Sequence, residues 1–187
     1  MSRSKLFTAA VAGLTVAFAG GLASAEMAHK ENTVQVGGAP MYPSKNIVQN
    51  AVNSKDHTTL VAAVTAAGLV DTLSGPGPFT VFAPTNEAFA KLPVGTVDTL
   101  VKPENKAILT KILTYHVVAG RMSAADLMAK ARMGGDLTTV QGETLKVSTK
   151  AGAVWLTDAK GGMSKVTIPN VNQSNGVIHV VDTVLMP

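Results

Sequence analysis

The stretch Gly75-Pro76-Gly77-Pro78-Phe79-Thr80-Val81-Phe82-Ala83-Pro84-Thr85-Asn86-Glu87-Ala88-Phe89-Ala90-Lys91-Leu92-Pro93 constrains the fold more than any other. Its first four residues are punctuation, because Pro fixes φ and Gly frees it. Phe79, Val81 and Ala83 then alternate with Thr80 and Phe82, which predicts a short buried strand. Pro84 removes a ladder donor and stops the strand. Thr85 can cap a helix whose first turn holds Glu87, facing the positive end of the helix dipole. Phe89 and Leu92 share a face of that helix, and Pro93 ends it. A strand is thus handed through a rigid corner into a helix, with aromatic rings on both arms.

The rest of the 187 residues divides by composition. Met1, Arg3 and Lys5 make a short basic start, followed by an uncharged apolar run over residues 6–23 and the small-residue exit Ala23-Ser24-Ala25. This is the pattern of a secretory signal over residues 1–25. A membrane anchor is the competing reading, since about eighteen apolar residues could just span a bilayer. Gly20, Gly21 and the small-residue exit favour cleavage. Residues 26–43 are polar, with Gly37-Gly38 and two prolines, and read as a flexible lead-in. Residues 44–187 read as one domain. The formal charge of +4 falls to +2 once Arg3 and Lys5 are removed, and no Lys/Arg run follows, which argues against nucleic acid. The absence of Cys excludes disulfides, thiolate metal sites and a cysteine nucleophile.

Within the domain, Ser44 can cap a helix carrying Ile47, Val48, Ala51 and Val52, and Asp56 or Thr58 a second one with Leu60, Val61 and Val64 inward and Gly68 as its stop. Leu69, Val70 and Leu73 continue the apolar face, and residues 96–100 form a helical turn. Pro103 opens a longer helix through Thr114, with Ile108, Leu109, Ile112 and Leu113 as its buried stripe. Residues 115–118 switch to strand character. Ser123 with Asp126 resembles a capping box for a helix over Leu127, Met128 and Ala131, ended by Gly134-Gly135. Strands are expected over 137–140, 143–148, 153–156, 165–168 and 177–182, with Lys150-Ala151-Gly152 as a hairpin turn. Helices first and strands later around one core indicate an α+β class.

Three separated segments resemble the signatures of fasciclin domains: Thr80-Val81-Phe82-Ala83-Pro84-Thr85 with Ala88-Phe89; Tyr115-His116; and Asn175-Gly176-Val177-Ile178-His179-Val180-Val181-Asp182. Their order and spacing match as well, and the resemblance extends over about residues 46–187. It implies a twisted β wedge of two sheets with helices packed against it. It also implies adhesion through proteins or glycans outside the cytoplasm, as in single-domain secreted bacterial members. In multidomain matrix relatives, integrin contact is attributed to the region matching Tyr115 and His116 and to an Asp-Ile pair matching Asn170 and Val171. Asn170 lacks the carboxylate that would complete the coordination of an integrin's metal ion, so only general adhesion carries over.

The candidate interaction residues are therefore Tyr115, His116, Asn170, Val171 and Trp155, the single Trp. A strand at Tyr115-His116 would turn one ring inward and leave the other partly exposed. Trp155 is an anchor for a partner or sugar ring if it points outward and core if inward, and the alternation leaves this open. Phe82, Pro84, Thr85, Phe89, Asn175, Gly176, His179 and Asp182 are expected to be structural. Asp182 and Thr85 are expected to form a buried polar tie between the two longer signatures. His29, His57, His116 and His179 show no metal-ligand spacing, and no cofactor is implied. No nucleophile elbow or phosphate loop is present in the sequence.

The expectation is an exported, non-enzymatic interaction module for adhesion or for surface or matrix association. It would be periplasmic, secreted or surface-associated, bind a surface protein or glycan, self-associate weakly, and have no stable membrane insertion after cleavage. The alternative is a periplasmic small-ligand-binding or enzyme-accessory protein. A large enclosed apolar pocket would favour the alternative, and a flat exposed apolar patch the first reading.

Overall fold

The computed structural model describes residues 32–187. The signal expected over 1–25 and residues 26–31 lie outside them. Strands β1 (Val34–Val36) and β2 (Ala39–Met41) form an antiparallel hairpin turned at Gly37-Gly38, both at positive φ. The hairpin is docked. Lys55 N–H donates to the Gly37 carbonyl at 3.3 Å, and a Cβ on Gly37 would lie 2.4 Å from Ser54 Oγ. Val36 and Met41 are buried. The flexible lead-in expected over 26–43 is corrected for residues 34–41. The apolar positions there are too few to announce a strand against polar surroundings, and what holds them is contact with residues 54–56.

Helix α1 (Ile47–Ala51) starts from Asn46, not from Ser44 as expected. Asn46 Oδ1 accepts from Gln49 N–H at 2.8 Å, and Gln49 Oε1 accepts from Asn46 N–H at 3.0 Å. A 3-10 turn (Lys55–His57) leads into α2 (Thr58–Ala67), which ends at left-handed Gly68 as expected. Neither Asp56 nor Thr58 caps it. Asn86 does so from across the fold, accepting from Thr59 N–H at 3.0 Å and donating to the Lys55 carbonyl at 2.8 Å.

After α3 (Val70–Ser74), strand β3 (Phe79–Pro84) runs into α4 (Asn86–Ala90), capped by Thr85 Oγ1, which accepts from Ala88 N–H at 3.2 Å. Helix α5 (Thr96–Leu100) and a 3-10 turn (Pro103–Asn105) precede α6 (Lys106–Tyr115). The buried stripe of α6 is Leu109, Ile112 and Leu113; Ile108 is 53% exposed, contrary to the pattern expected.

Strand β4 (Val117–Ala119) follows, then α7 (Ala124–Arg132), opened by the Ser123–Asp126 capping box. The remainder is β5 (Asp136–Thr138), β6 (Thr144–Lys150), β7 (Ala153–Thr157), β8 (Met163–Gln173) and β9 (Gly176–Val181). Ala151-Gly152 turns β6 into β7 with both residues at positive φ, the conformation a two-residue hairpin needs.

The seven strands β4-β3-β9-β8-β7-β6-β5 are ordered in that sequence, with β3 and β9 parallel. Strand β8 is longer than the expected 165–168. Its register against β9 shifts between Val166 and Val171, where it bends and serves both halves of the sheet. Val140 N–H donates to the Val117 carbonyl at 2.7 Å, so the end beyond β5 returns to β4 and the sheet curls into a nearly closed wedge. The α+β wedge with helices against it is the fold expected.

Strands β3 and β9 are buried on both faces, which explains their near-continuous apolar sequences. Val81, Ala83, Ile178 and Val180 pack with helical residues including Leu60, Phe89 and Leu109. Phe82 and Val181 face the other way, into a second cluster with Tyr115, Leu145, Leu156 and Leu185.

Asn175 joins elements far apart in the chain. Its Oδ1 accepts from Ile47 N–H at 3.0 Å, and its Nδ2 donates to the carbonyls of Leu73 and Gly75 at 2.7 and 2.8 Å. Gly176 lies so close to β3 that a Cβ would sit 2.2 Å from the Phe79 carbonyl oxygen. Asn175→Ala would leave these three backbone groups without their partner and should cost about 3 kcal/mol. Urea unfolding checks this; a loss below about 0.5 kcal/mol would show the side chain to be dispensable.

Candidate functional site

Tyr115 is the last residue of α6 and His116 its C-cap, so neither belongs to a strand and both are buried. The expected split into one packed and one exposed ring is corrected: the helix runs one residue further than expected, to Tyr115, His116 caps it, and β4 starts only at Val117. Tyr115 Oη donates to the Thr144 carbonyl at 3.0 Å and accepts from Ala159 N–H at 3.0 Å. Burial raises its pKa above the ordinary value, with the Ala159 N–H pulling the other way.

His116 Nδ1 lies 2.8 Å from the Ile112 carbonyl, and its Nε2 accepts from Leu185 N–H at 3.0 Å. A carbonyl can only accept and an amide can only donate, so the ring is the neutral Nδ1–H tautomer. Burial lowers its pKa to about 4, although the Ile112 carbonyl opposes this.

Asn170 is exposed at a left-handed φ of 58°. Its Oδ1 accepts from Ala124 N–H at 2.7 Å, at the start of α7. Val171 is 1% exposed and packs in the helix-side core. The pair therefore clamps β8 to α7 and offers no accessible aliphatic contact. His179 accepts from Asn170 N–H on Nδ1 at 3.3 Å and donates from Nε2 to the Met122 carbonyl at 2.9 Å. Its pKa is lowered by burial.

The expected tie between Thr85 and Asp182 is corrected. Asp182 Oδ1 accepts from Lys165 N–H at 2.9 Å and from Thr183 Oγ1 at 3.0 Å, joining β9 to β8. Thr85 Oγ1 serves the α4 cap. The two signature segments are instead held by the parallel β3–β9 ladder, and Lys91 Nζ adds a bond to the Asp182 carbonyl at 2.6 Å.

Trp155 is the candidate that reaches an accessible face. Val154 and Leu156 point into the second core, so Trp155 lies on the outer side of β7, half-buried, directly between Ser148 of β6 and Lys165 of β8. Its Nε1 has no hydrogen-bond partner. By strand alternation Lys146, Lys150, Thr157 and Met163 share this face, with Asp136 opposite Lys146. Lys146 and Lys150 are exposed, and Met163 is 47% exposed. Helix α7 contributes Leu127 to the opposite, inner side. The outer face is therefore a single indole among three lysines and one aspartate.

The fasciclin-domain family model matches residues 55–187. Protein sll1483 of Synechocystis sp. is 46% identical over 166 residues, covering 89% of this chain and 87% of that one. The chain belongs to the fasciclin-domain family. A cell surface glycolipoprotein of Mycobacterium bovis, MPB83, is 40% identical over 144 residues, covering 73% of this chain and 58% of its own. The structure of a FAS1 domain pair from the insect cell adhesion molecule fasciclin I superposes with a TM-score of 0.70 at 18% identity. That match covers 84% of this chain and 59% of the solved one.

In this fasciclin domain two signature segments are the adjacent strands β3 and β9, and the third closes α6 beneath the wedge. Among the described residues no three His, Cys, Asp or Glu side chains converge as metal ligands. The lysines around Trp155 went unnoticed in the sequence because they come from separate strands. The one signal available was the i, i+4 spacing of Lys146 and Lys150, two positions either side of Ser148.

Proposed function

We propose that the chain is an exported, non-enzymatic fasciclin module for adhesion or surface association, and that it binds an acidic glycan through the outer β6–β7–β8 face around Trp155. The observation that carries this reading is the placement of a half-buried indole between Ser148 and Lys165, with Lys146 and Lys150 two positions either side of Ser148, on a sheet whose other side is core. Indole faces stack on sugar rings, and the lysines suit carboxylates. The likeness to a cell surface glycolipoprotein and to the fold of a cell adhesion molecule supports the general role. The non-enzymatic reading is supported by His116 and His179, whose ring nitrogens are all engaged by backbone groups and unable to exchange protons with a substrate. Among the described residues no helix is long and apolar enough to cross a membrane. One such face coats a surface; bridging two surfaces would need weak self-association, a second contact face or an anchored receptor partner.

Trp155 is the only Trp, so its fluorescence reports the proposed site directly. Titration with polygalacturonate should shift its emission saturably, while dextran should not. Trp155→Ala should weaken retention on polygalacturonate about 30-fold, equivalent to about 2 kcal/mol, with little change in melting temperature. Undiminished retention of the alanine variant would overturn the assignment.

A further inference from the structure

A different feature lies on the helix side of the sheet, away from the contact face. Helices α1 and α2, the β1–β2 hairpin and the helix-facing side of β3 and β9 enclose a cavity of about 170 Å³. Its floor is Val81, Ile178 and Leu113, its side wall Val36 and Met41. The walls contributed by the hairpin and α1 precede the residues matched by the family model. Val48 and Ala51 of α1, Val52 just after it and Val61 of α2 rim it, and Val52 is 56% exposed, so the cavity reaches toward solvent between these helices.

The lining is mostly aliphatic, and its polar side chains are Ser54, His57, Thr65 and His116. His57 is 3% exposed and its Nδ1 lies 2.9 Å from Ser54 Oγ. Its Nε2 is buried without a hydrogen-bond partner. The Ala83 carbonyl lies near the ring and opposes the lowering of the His57 pKa by burial. His116 also lines the cavity, with both ring nitrogens already engaged.

An unpartnered polar atom inside an apolar cavity is costly, and water is a poor remedy here. A buried water needs two to four polar partners, and most of this lining is aliphatic. A molecule with an apolar body and one polar atom satisfies both the aliphatic walls and Nε2. We infer that the cavity is a binding site for a small neutral amphiphile: a short aliphatic chain or single ring, of about six carbons, carrying one hydroxyl hydrogen-bonded to His57 Nε2. The size follows from engineered apolar cavities of about 150 Å³, which hold a benzene ring. Neutrality follows from the absence of a lining cation; a carboxylate would be desolvated with nothing to balance its charge.

The ¹⁵N-labelled chain titrated with 1-hexanol, hexane and hexanoate at pH 7 tests this. Hexanol should give saturable amide shifts confined to α1, α2, β3 and the hairpin, with affinity at least about tenfold above hexanoate. His57→Leu should erase the preference for hexanol over hexane. Val61→Phe, at the rim, should block all three ligands, and serves if His57→Leu does not fold. Trp155→Ala should leave the hexanol titration unchanged, which keeps this site distinct from the glycan face. Absence of saturable shifts with any probe, equal binding of hexanoate, or an unaltered hexanol preference in His57→Leu would each overturn the inference.

Discussion

Phe82→Ala should destabilise the domain by about 3–5 kcal/mol, the range for emptying a buried aromatic site. The ring is fully buried, in a cluster with Tyr115, Val118, Leu145 and Leu185 drawn from five parts of the chain. It also stacks on the His179 ring with centroids 5.8 Å apart and planes 28° apart, joining the two signature strands through their side chains as well as their backbones. Phe82 N–H donates to the His116 carbonyl at 2.9 Å, so slackness at this position passes to the end of α6. A domain of this size has a net stability of only about 5–15 kcal/mol, so the variant should be partly unfolded at 37 °C. Phe82→Leu, which retains most of the volume, should lose less than half as much. Chemical denaturation measures both, and an unchanged midpoint for the alanine variant would remove Phe82 from the core.

Acidification is expected to have a comparable effect through the buried histidines. His116 has an ordinary value of 6.5 and a folded value of about 4. Between these limits the unfolded chain binds a proton that the folded chain refuses. The stabilisation is therefore complete above pH 6.5, falls with falling pH through the window, and is lost below about pH 4. The difference corresponds to about 3 kcal/mol. Protonation would put a hydrogen on Nε2, directly against the Leu185 N–H that now donates to it. His57 and His179 are lowered by burial too and add to the slope in the same direction. Asp126 and Glu143 are held below their usual range by the Ser123 hydroxyl and the Lys111 ammonium, so they titrate beneath most of this window. Urea unfolding between pH 7 and pH 4.5 should show the decline, and His116→Gln should flatten it by the share of that ring. Constant stability across the interval, or an NMR titration midpoint for His116 near 6.5, would contradict the assignment.

Much of the fold was readable from local chemistry. The Gly-Pro-Gly-Pro punctuation, the Thr85 cap, the Ser123–Asp126 box, the Gly68 stop and the Ala151-Gly152 turn each act within a few residues, and each behaves as its sequence dictates. Order and spacing of three signatures were enough to place the chain in its family.

What depended on distant partners was not readable. Asn86 caps a helix that starts 28 residues earlier, and Asn175 serves a backbone amide 128 residues away. The β1–β2 hairpin is ordered by residues 54–56, which a polar, glycine-bearing segment does not announce. Tyr115 and His116 are buried because α6 continues to Tyr115 and the C-terminal segment closes over His116 through Leu185. Trp155 faces outward because the β6–β7–β8 register aligns it with Ser148 and Lys165, and the same register gathers the lysines around it. Local sequence determines which elements form and where they stop, since caps and turns are short-range hydrogen bonds and backbone preferences. Only the tertiary structure decides which side chains meet, because strand pairing and helix packing join residues whose separation in the chain carries no information about their distance in space.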